Sequence, residues 1–159
     1  MAYSFARVSA AVAMRVEDYF GQGKRWRARL TRKAASSIRC PATNLEAYLD
    51  AYLQAAGIVD AKRTPLFRSG RGRTGELTGS AMHRVDAWRM IRRRARDAGL
   101  DAEICCHTFR ATGITAYLDN SGTLENAQAM AAHERPRTTK LYDRTSDEIS
   151  LDEVERIAI

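Results

Sequence analysis

The chain has 159 residues, 45% hydrophobic and 28% charged, with 26 Lys and Arg against 19 Asp and Glu for a formal charge of +7. That length is enough for one domain with a sizeable core, and no apolar run approaches the roughly 18 residues needed to span a membrane. The opening Met1-Ala2-Tyr3-Ser4-Phe5-Ala6-Arg7-Val8 lacks the basic-then-apolar layout of a signal peptide, so a cytoplasmic protein is expected.

In chain order, the pattern predicts a first helix over Ser4 to Ala13, with Phe5, Val8, Ala11 and Val12 as its apolar face. Lys24 to Thr31 and Ser37 to Pro41 read as a hairpin, the alternation Trp26-Arg27-Ala28-Arg29-Leu30 being its strand signal. Asn44 is placed to cap a helix over Leu45 to Ala56, which Gly57 stops. Ser69 to Gly75 reads as a basic loop; its glycines are not followed by Gly-Lys-Ser/Thr, so it is not a nucleotide loop. Thr78 is expected to cap a long helix to about Ala98, with Val85, Trp88, Ile91 and Ala95 inward and His83 exposed, and Gly99 ends it.

Helices over His107 to Leu118 and Leu124 to Ala132 follow, the first terminated by Asn120-Ser121-Gly122. Pro136 is expected to break the chain before a short helix that opens at Thr138 and carries Tyr142. Ser150-Leu151-Asp152-Glu153 is a capping box for a tail helix with Leu151, Val154 and Ile157 on one side. The fold class is therefore mainly α with a small antiparallel hairpin or three-stranded sheet, in a single domain over 1–159.

Excess positive charge points to nucleic acid as partner. Its distribution sharpens this: ten arginines between Arg63 and Arg96 crowd the centre, whereas the tail from Asp143 to Ile159 is acidic. Arg84, Arg92 and Arg96 recur at multiples of four residues and form a candidate stripe against a DNA backbone. The cysteines, Cys40, Cys105 and Cys106, are odd in number and include an adjacent pair, which is no disulfide framework; Cys105-Cys106-His107 lacks zinc-ligand spacing, so no metal is expected.

The last third carries the chemistry. His107-Thr108-Phe109-Arg110 puts an acid/base group and a planar cation on one helix, and His133 precedes Tyr142 in Thr138-Thr139-Lys140-Leu141-Tyr142. A tyrosine that attacks a phosphodiester needs cations on the non-bridging oxygens and a donor for the leaving oxygen. His-x-x-Arg, Ala132-His133 and Thr-Thr-x-x-Tyr, in that order, resemble the C-terminal signature of the tyrosine recombinases, the phage-integrase family. Phe5-Ala6-Arg7-Val8-Ser9 resembles the segment of the family's first arginine, and Arg29-Leu30-Thr31-Arg32-Lys33 the strand leading to its active-site lysine.

The resemblance implies a recombinase catalytic-domain fold and site-specific breakage and rejoining of double-stranded DNA through a 3′-phosphotyrosyl intermediate, with no cofactor. It implies that Tyr142 attacks, that Arg7 and Arg110 clamp the phosphate, and that Lys33 protonates the departing 5′ oxygen. His107 would serve as acid/base towards the tyrosine and His133 would hydrogen-bond the phosphate. Partners would be DNA and further recombinase protomers, four on DNA in the family, with no membrane involved. The family's N-terminal DNA-clamping domain is expected to be missing, so the chain reads as a partial catalytic domain. The family's acidic residue three after the first arginine is Ala10 here, and its Gly-rich hairpin turn is Lys33-Ala34-Ala35-Ser36-Ser37. A catalytically idle remnant that only binds DNA or protein is the alternative.

Overall fold

The computed structural model describes residues 1–23, 25–31, 46–72, 74–100, 103–133 and 135–143, and the backbone of 37–41. Lys33, Asn44, the turn over residues 33–36 and the capping box at 150–153 lie outside the described residues.

The first helix, α1, covers only Val8–Val12, shorter at its start than the periodicity predicts. Phe5 has φ 49°, in the left-handed region, which ends any helix there. The reason is packing. Phe5 is buried with Ile114, Leu118, Ala127 and Ala131, whereas Ala6 is buried in a second cluster with Val16, Tyr19, Leu30, Leu53 and Leu66. Two consecutive residues thus anchor two cores, and Arg7 follows directly as the extended residue before α1.

Three antiparallel strands follow: β1 (Tyr19–Gln22), β2 (Arg25–Thr31) and β3 (Ser37–Pro41), in the order β1-β2-β3. The alternation expected in β2 holds for Ala28 and Leu30, which are buried, but not for Trp26, which is exposed and stacks on Tyr19. Strand β1 has no pattern of its own in the sequence, being four residues long with a glycine inside. It is held by pairing with β2 and by the Tyr19 hydroxyl, which donates to Asp50 at 3.1 Å; just before the strand, the Asp18 carboxylate accepts from Arg29 Nε at 2.7 Å. Burial and Asp50 push the Tyr19 phenol up.

Helix α2 (Glu46–Ala55) buries Leu49 and Leu53 one turn apart and ends at Gly57, whose φ of 62° lets Ile58 N–H reach Leu53 C=O at 3.1 Å. The basic loop contains a strand. Arg68–Gly70 (β4) pairs with Leu77–Ala81 (β5) as a two-stranded ribbon. Thr78 therefore sits in a strand and caps nothing, which corrects the predicted start of the next helix. His83 takes that place: its Nδ1 accepts from Val85 N–H at 3.4 Å and opens α3 (Arg84–Asp97). Ser, Thr, Asp and Asn are the usual capping residues, which is why Thr78 looked the better candidate.

Helices α4 (Cys106–Asp119), α5 (Leu124–Ala131) and α6 (Pro136–Lys140) complete the described chain. Pro136 starts α6 instead of breaking the chain, because the missing N–H is harmless in the first helical turn. Tyr142 lies in the turn just after α6, its N–H on Thr139 C=O at 3.0 Å. The N-terminal segment crosses α4 at Gly113, where an added Cβ would collide with the Ala2 carbonyl.

Candidate active site

Helix α4 presents His107 and Arg110 to opposite sides of one constellation. His107 is exposed, and its Nε2 lies 2.9 Å from Tyr142 Oη. Arg110 is buried, 3% exposed, and its guanidinium donates to the carbonyls of Phe5 and Ala131 and to His133 Nε2, the last at 2.9 Å. The shared face expected from their three-residue spacing is thus divided in depth. One residue reaches the surface, and the other is tied to the backbone beneath it.

Each carbonyl that receives Arg110 belongs to or precedes a residue with left-handed backbone, Phe5 at φ 49° and Ala132 at φ 51°. Ala132 closes α5 in the position that glycine usually takes, with Ala132 N–H on Ala129 C=O and His133 N–H on Gln128 C=O, both 3.2 Å. That turn sends His133 back into the protein. Its ring lies nearly parallel to Tyr142, 13° between planes and 6.0 Å between centroids, and its Nδ1 lies 2.9 Å from Thr139 Oγ1. Burial, and then the charges of Arg110, Arg7 and His107, lower the His133 imidazole to about 4. His133 is therefore neutral at physiological pH. Tyr142 is half-buried against the core that holds Phe5, and Thr115 Oγ1 donates to its carbonyl at 3.5 Å.

Arg7 is exposed and lines a groove of about 470 Å³ with Ser9, Arg84, Val85, Trp88, Cys105 and His107. Arg84 therefore belongs to the same groove as the predicted arginine and histidine. Arg92 lies over the Trp88 ring at 5.1 Å, a cation–π contact, and Arg96 is exposed. Lys33 lies outside the described residues. Val85 and Trp88 do not point inward as predicted; they are 37% and 42% exposed, and Ala87 and Ala95 make the buried face of α3. Large apolar side chains look like core in a sequence, whereas here small ones allow close helix packing.

Three participants escaped sequence reasoning. The Phe5 and Ala131 carbonyls have no sequence signal, since every residue carries one. Thr139 had a weak signal, its place in the Thr-Thr pair. Cys106 is buried and Cys105 half-buried. Hydrogen bonds from the Thr108 backbone and hydroxyl hold the Cys105 thiol below its usual range, and burial pushes that of Cys106 up. Among the described residues no group of three or more His, Cys, Asp or Glu could hold a metal ion, and no helix is long and apolar enough to cross a membrane.

This arrangement has relatives. The chain is 32% identical over 70 residues to the tyrosine recombinase XerD of Staphylococcus saprophyticus, a stretch covering 44% of this chain and 24% of that protein. The crystal structure of the XerA recombinase superposes with a TM-score of 0.72 at 20% identity, over 98% of this chain and 53% of that one. The XerH site-specific recombinase bound to its difH substrate gives 0.70 at 17% identity, over 98% and 42%. The Tn1549 transposon integrase in complex with transposon right-end DNA gives 0.67 at 14%, over 99% and 56%. The chain thus spans about half the length of these solved recombinases, and its fold is that of their catalytic domains. Residues 1–148 match the phage integrase family, a stretch that includes every residue of the constellation, and the chain belongs to that family of tyrosine recombinases.

Proposed function

We propose that this chain carries the strand-cleaving and strand-joining chemistry of a site-specific DNA recombinase, with Tyr142 as nucleophile. The observation that carries the proposal is the 2.9 Å separation of His107 Nε2 and Tyr142 Oη. His107 is in reach to take the phenolic proton as the Tyr142 oxygen attacks phosphorus. The P–O5′ bond then breaks, leaving a 3′-phosphotyrosyl link, and the departing 5′ oxygen takes a proton, a task we assign to Lys33. Reversal with a second 5′ hydroxyl rejoins the strand. The bond energy stays in the protein–DNA link, so the step needs no nucleotide.

Positive charge is the other requirement, because the phosphate gains charge on its equatorial oxygens. We assign the contact with those oxygens to Arg7, which lines one groove with His107. Arg110 stands one residue behind Tyr142, through His133, where burial away from water leaves its charge little screened. In this geometry His133 turns Nε2 to Arg110, so its first role in the reading is to hold that cation. Arg84, Arg92 and Arg96 extend the positive face along α3 and suit the DNA backbone. The DNA carried by the XerH and Tn1549 integrase structures supports DNA as substrate. Assembly with further recombinase protomers belongs to the same proposal.

The test is a duplex with a nick close to the cleavage site, which traps covalent adducts by losing the short 5′-hydroxyl fragment. The chain should become attached to a 3′ phosphate, and Tyr142→Phe should bind the duplex without forming adduct. Adduct formation by the Phe variant would remove Tyr142 from the role. Absence of adduct with the unaltered chain would favour a binding module with an idle site.

A further inference from the structure

We propose that Thr139 is a positioning residue, whose hydroxyl sets the tautomer of His133 and joins that imidazole to the turn bearing Tyr142. The proposal rests on the reading of Tyr142 as nucleophile for its consequence, but its central claim is a proton position that can be measured without cleavage.

The proton position follows from the partners. A guanidinium has donors and no acceptor. His133 Nε2, 2.9 Å from Arg110, therefore presents its lone pair. A neutral imidazole with a lone pair on Nε2 carries its hydrogen on Nδ1. That nitrogen lies 2.9 Å from Thr139 Oγ1, in a buried contact, so it donates there. Thr139 itself is 0% exposed, so no water competes for the ring at this side. Its neighbour Thr138 is exposed and takes no part.

The same residue also holds the nucleophile's turn. Tyr142 N–H donates to Thr139 C=O at 3.0 Å, and the Tyr142 ring lies nearly parallel to that of His133. From the other side, Gln128 fixes the His133 backbone, Nε2 donating to the His133 carbonyl at 3.2 Å. Arg110, His133, Thr139 and Tyr142 thus form one chain of contacts, in which the Thr139 hydroxyl is the link between α6 and the imidazole. Valine has nearly the same shape but accepts nothing. In Thr139→Val a buried Nδ1–H has no partner, the Nε2–H tautomer gains ground, and that tautomer points a hydrogen at a guanidinium. Arg110 and the Tyr142 turn then lose their common support.

The experiment uses the 159-residue chain and compares Thr139→Val, Thr139→Ser and Thr138→Val. Long-range proton–nitrogen spectra of the imidazoles should show wild-type His133 protonated on Nδ1 with an unprotonated Nε2. Thr139→Ser and Thr138→Val should keep that pattern, and Thr139→Val should lose it. In single-turnover cleavage of the nicked duplex, Thr139→Val should be slower by about 10- to 100-fold, by analogy with hydrogen-bond partners that orient metal-ligating histidines. Its affinity for DNA should be unchanged, and serine should restore the rate. An Nε2–H tautomer in the unaltered chain overturns the proposal, as does a valine variant that keeps the nitrogen pattern, or one that keeps the rate. If the unaltered chain cleaves nothing, the function reading fails alone, and the spectra still decide the role of Thr139.

Discussion

Acidification should weaken this protein through His133. In an unfolded chain that imidazole takes a proton near 6.5. In the folded chain burial and the nearby charges of Arg110, Arg7 and His107 hold it at about 4. Between those values the unfolded state binds more protons, so stability falls as pH falls. The contribution is fully present above about 6.5 and is lost as pH falls through about 4. At roughly 1.36 kcal/mol for each pH unit separating the two values, the loss is about 3 kcal/mol. A typical domain has about 5–15 kcal/mol in all, so this single group accounts for a sizeable share of the stability lost in mild acid. Carboxylates change over part of the same range, so the measurement must be differential. Urea unfolding of the unaltered chain and of His133→Gln, repeated from about pH 7 to about pH 4, isolates the imidazole. The gap in unfolding free energy should close by about 3 kcal/mol towards the acid end. Parallel pH curves for the two proteins, or a His133 proton titration near 6.5, would refute the argument.

Other expectations follow from the same geometry. Gly113→Ala drives a Cβ into the Ala2 carbonyl, which must shift the segment that supplies the Phe5 carbonyl to Arg110. Thermal or urea unfolding should show a loss of about 1–3 kcal/mol, and a change within about 0.5 kcal/mol would mean the segment yields without cost. Ala132→Gly relieves a left-handed alanine at φ 51° and should stabilise by about 0.5–1 kcal/mol, the relief being partly offset by a more flexible unfolded chain; a destabilised variant in the same assay would contradict this. Replacing Arg84, Arg92 and Arg96 by alanine should flatten the salt dependence of DNA binding, by about 0.9 in the log–log slope for each phosphate no longer neutralised. An unchanged slope across a salt titration would take α3 out of the DNA interface.

Much of this was legible in the order of residues along the chain. Helices α2, α4 and α5 announce themselves by periodicity and by the turns that end them, as Leu49 and Leu53 on one face and Gly57 behind them illustrate. The ordered set from Arg7 to Tyr142 identified the family, because a particular chemistry demands particular side chains whatever the packing. Local rules misled where a distant contact outweighed a local preference. Thr78 is a good capping residue, but pairing of β5 with β4 claims it, and His83 caps α3 instead. Phe5 fits a helical face, yet the core beside Ile114 draws it out of the helix. Trp88 has the size of a core residue, yet it stands at a groove because Ala87 and Ala95 make the buried face.

For the site the division is similar. Sequence alone determined which groups are present: two histidines, two arginines, a lysine and a tyrosine in a fixed order. Only the tertiary structure decided their states. His107 is exposed with its ring against Tyr142 Oη, whereas His133, of the same residue type, is buried and held neutral between Arg110 and Thr139. Arg110 is anchored by the carbonyls of Phe5 and Ala131, groups whose positions depend on two left-handed turns in separate parts of the chain. Burial and hydrogen-bond partners set a proton's position and a charge's strength, and both arise from residues far apart in sequence, beyond the reach of any local pattern.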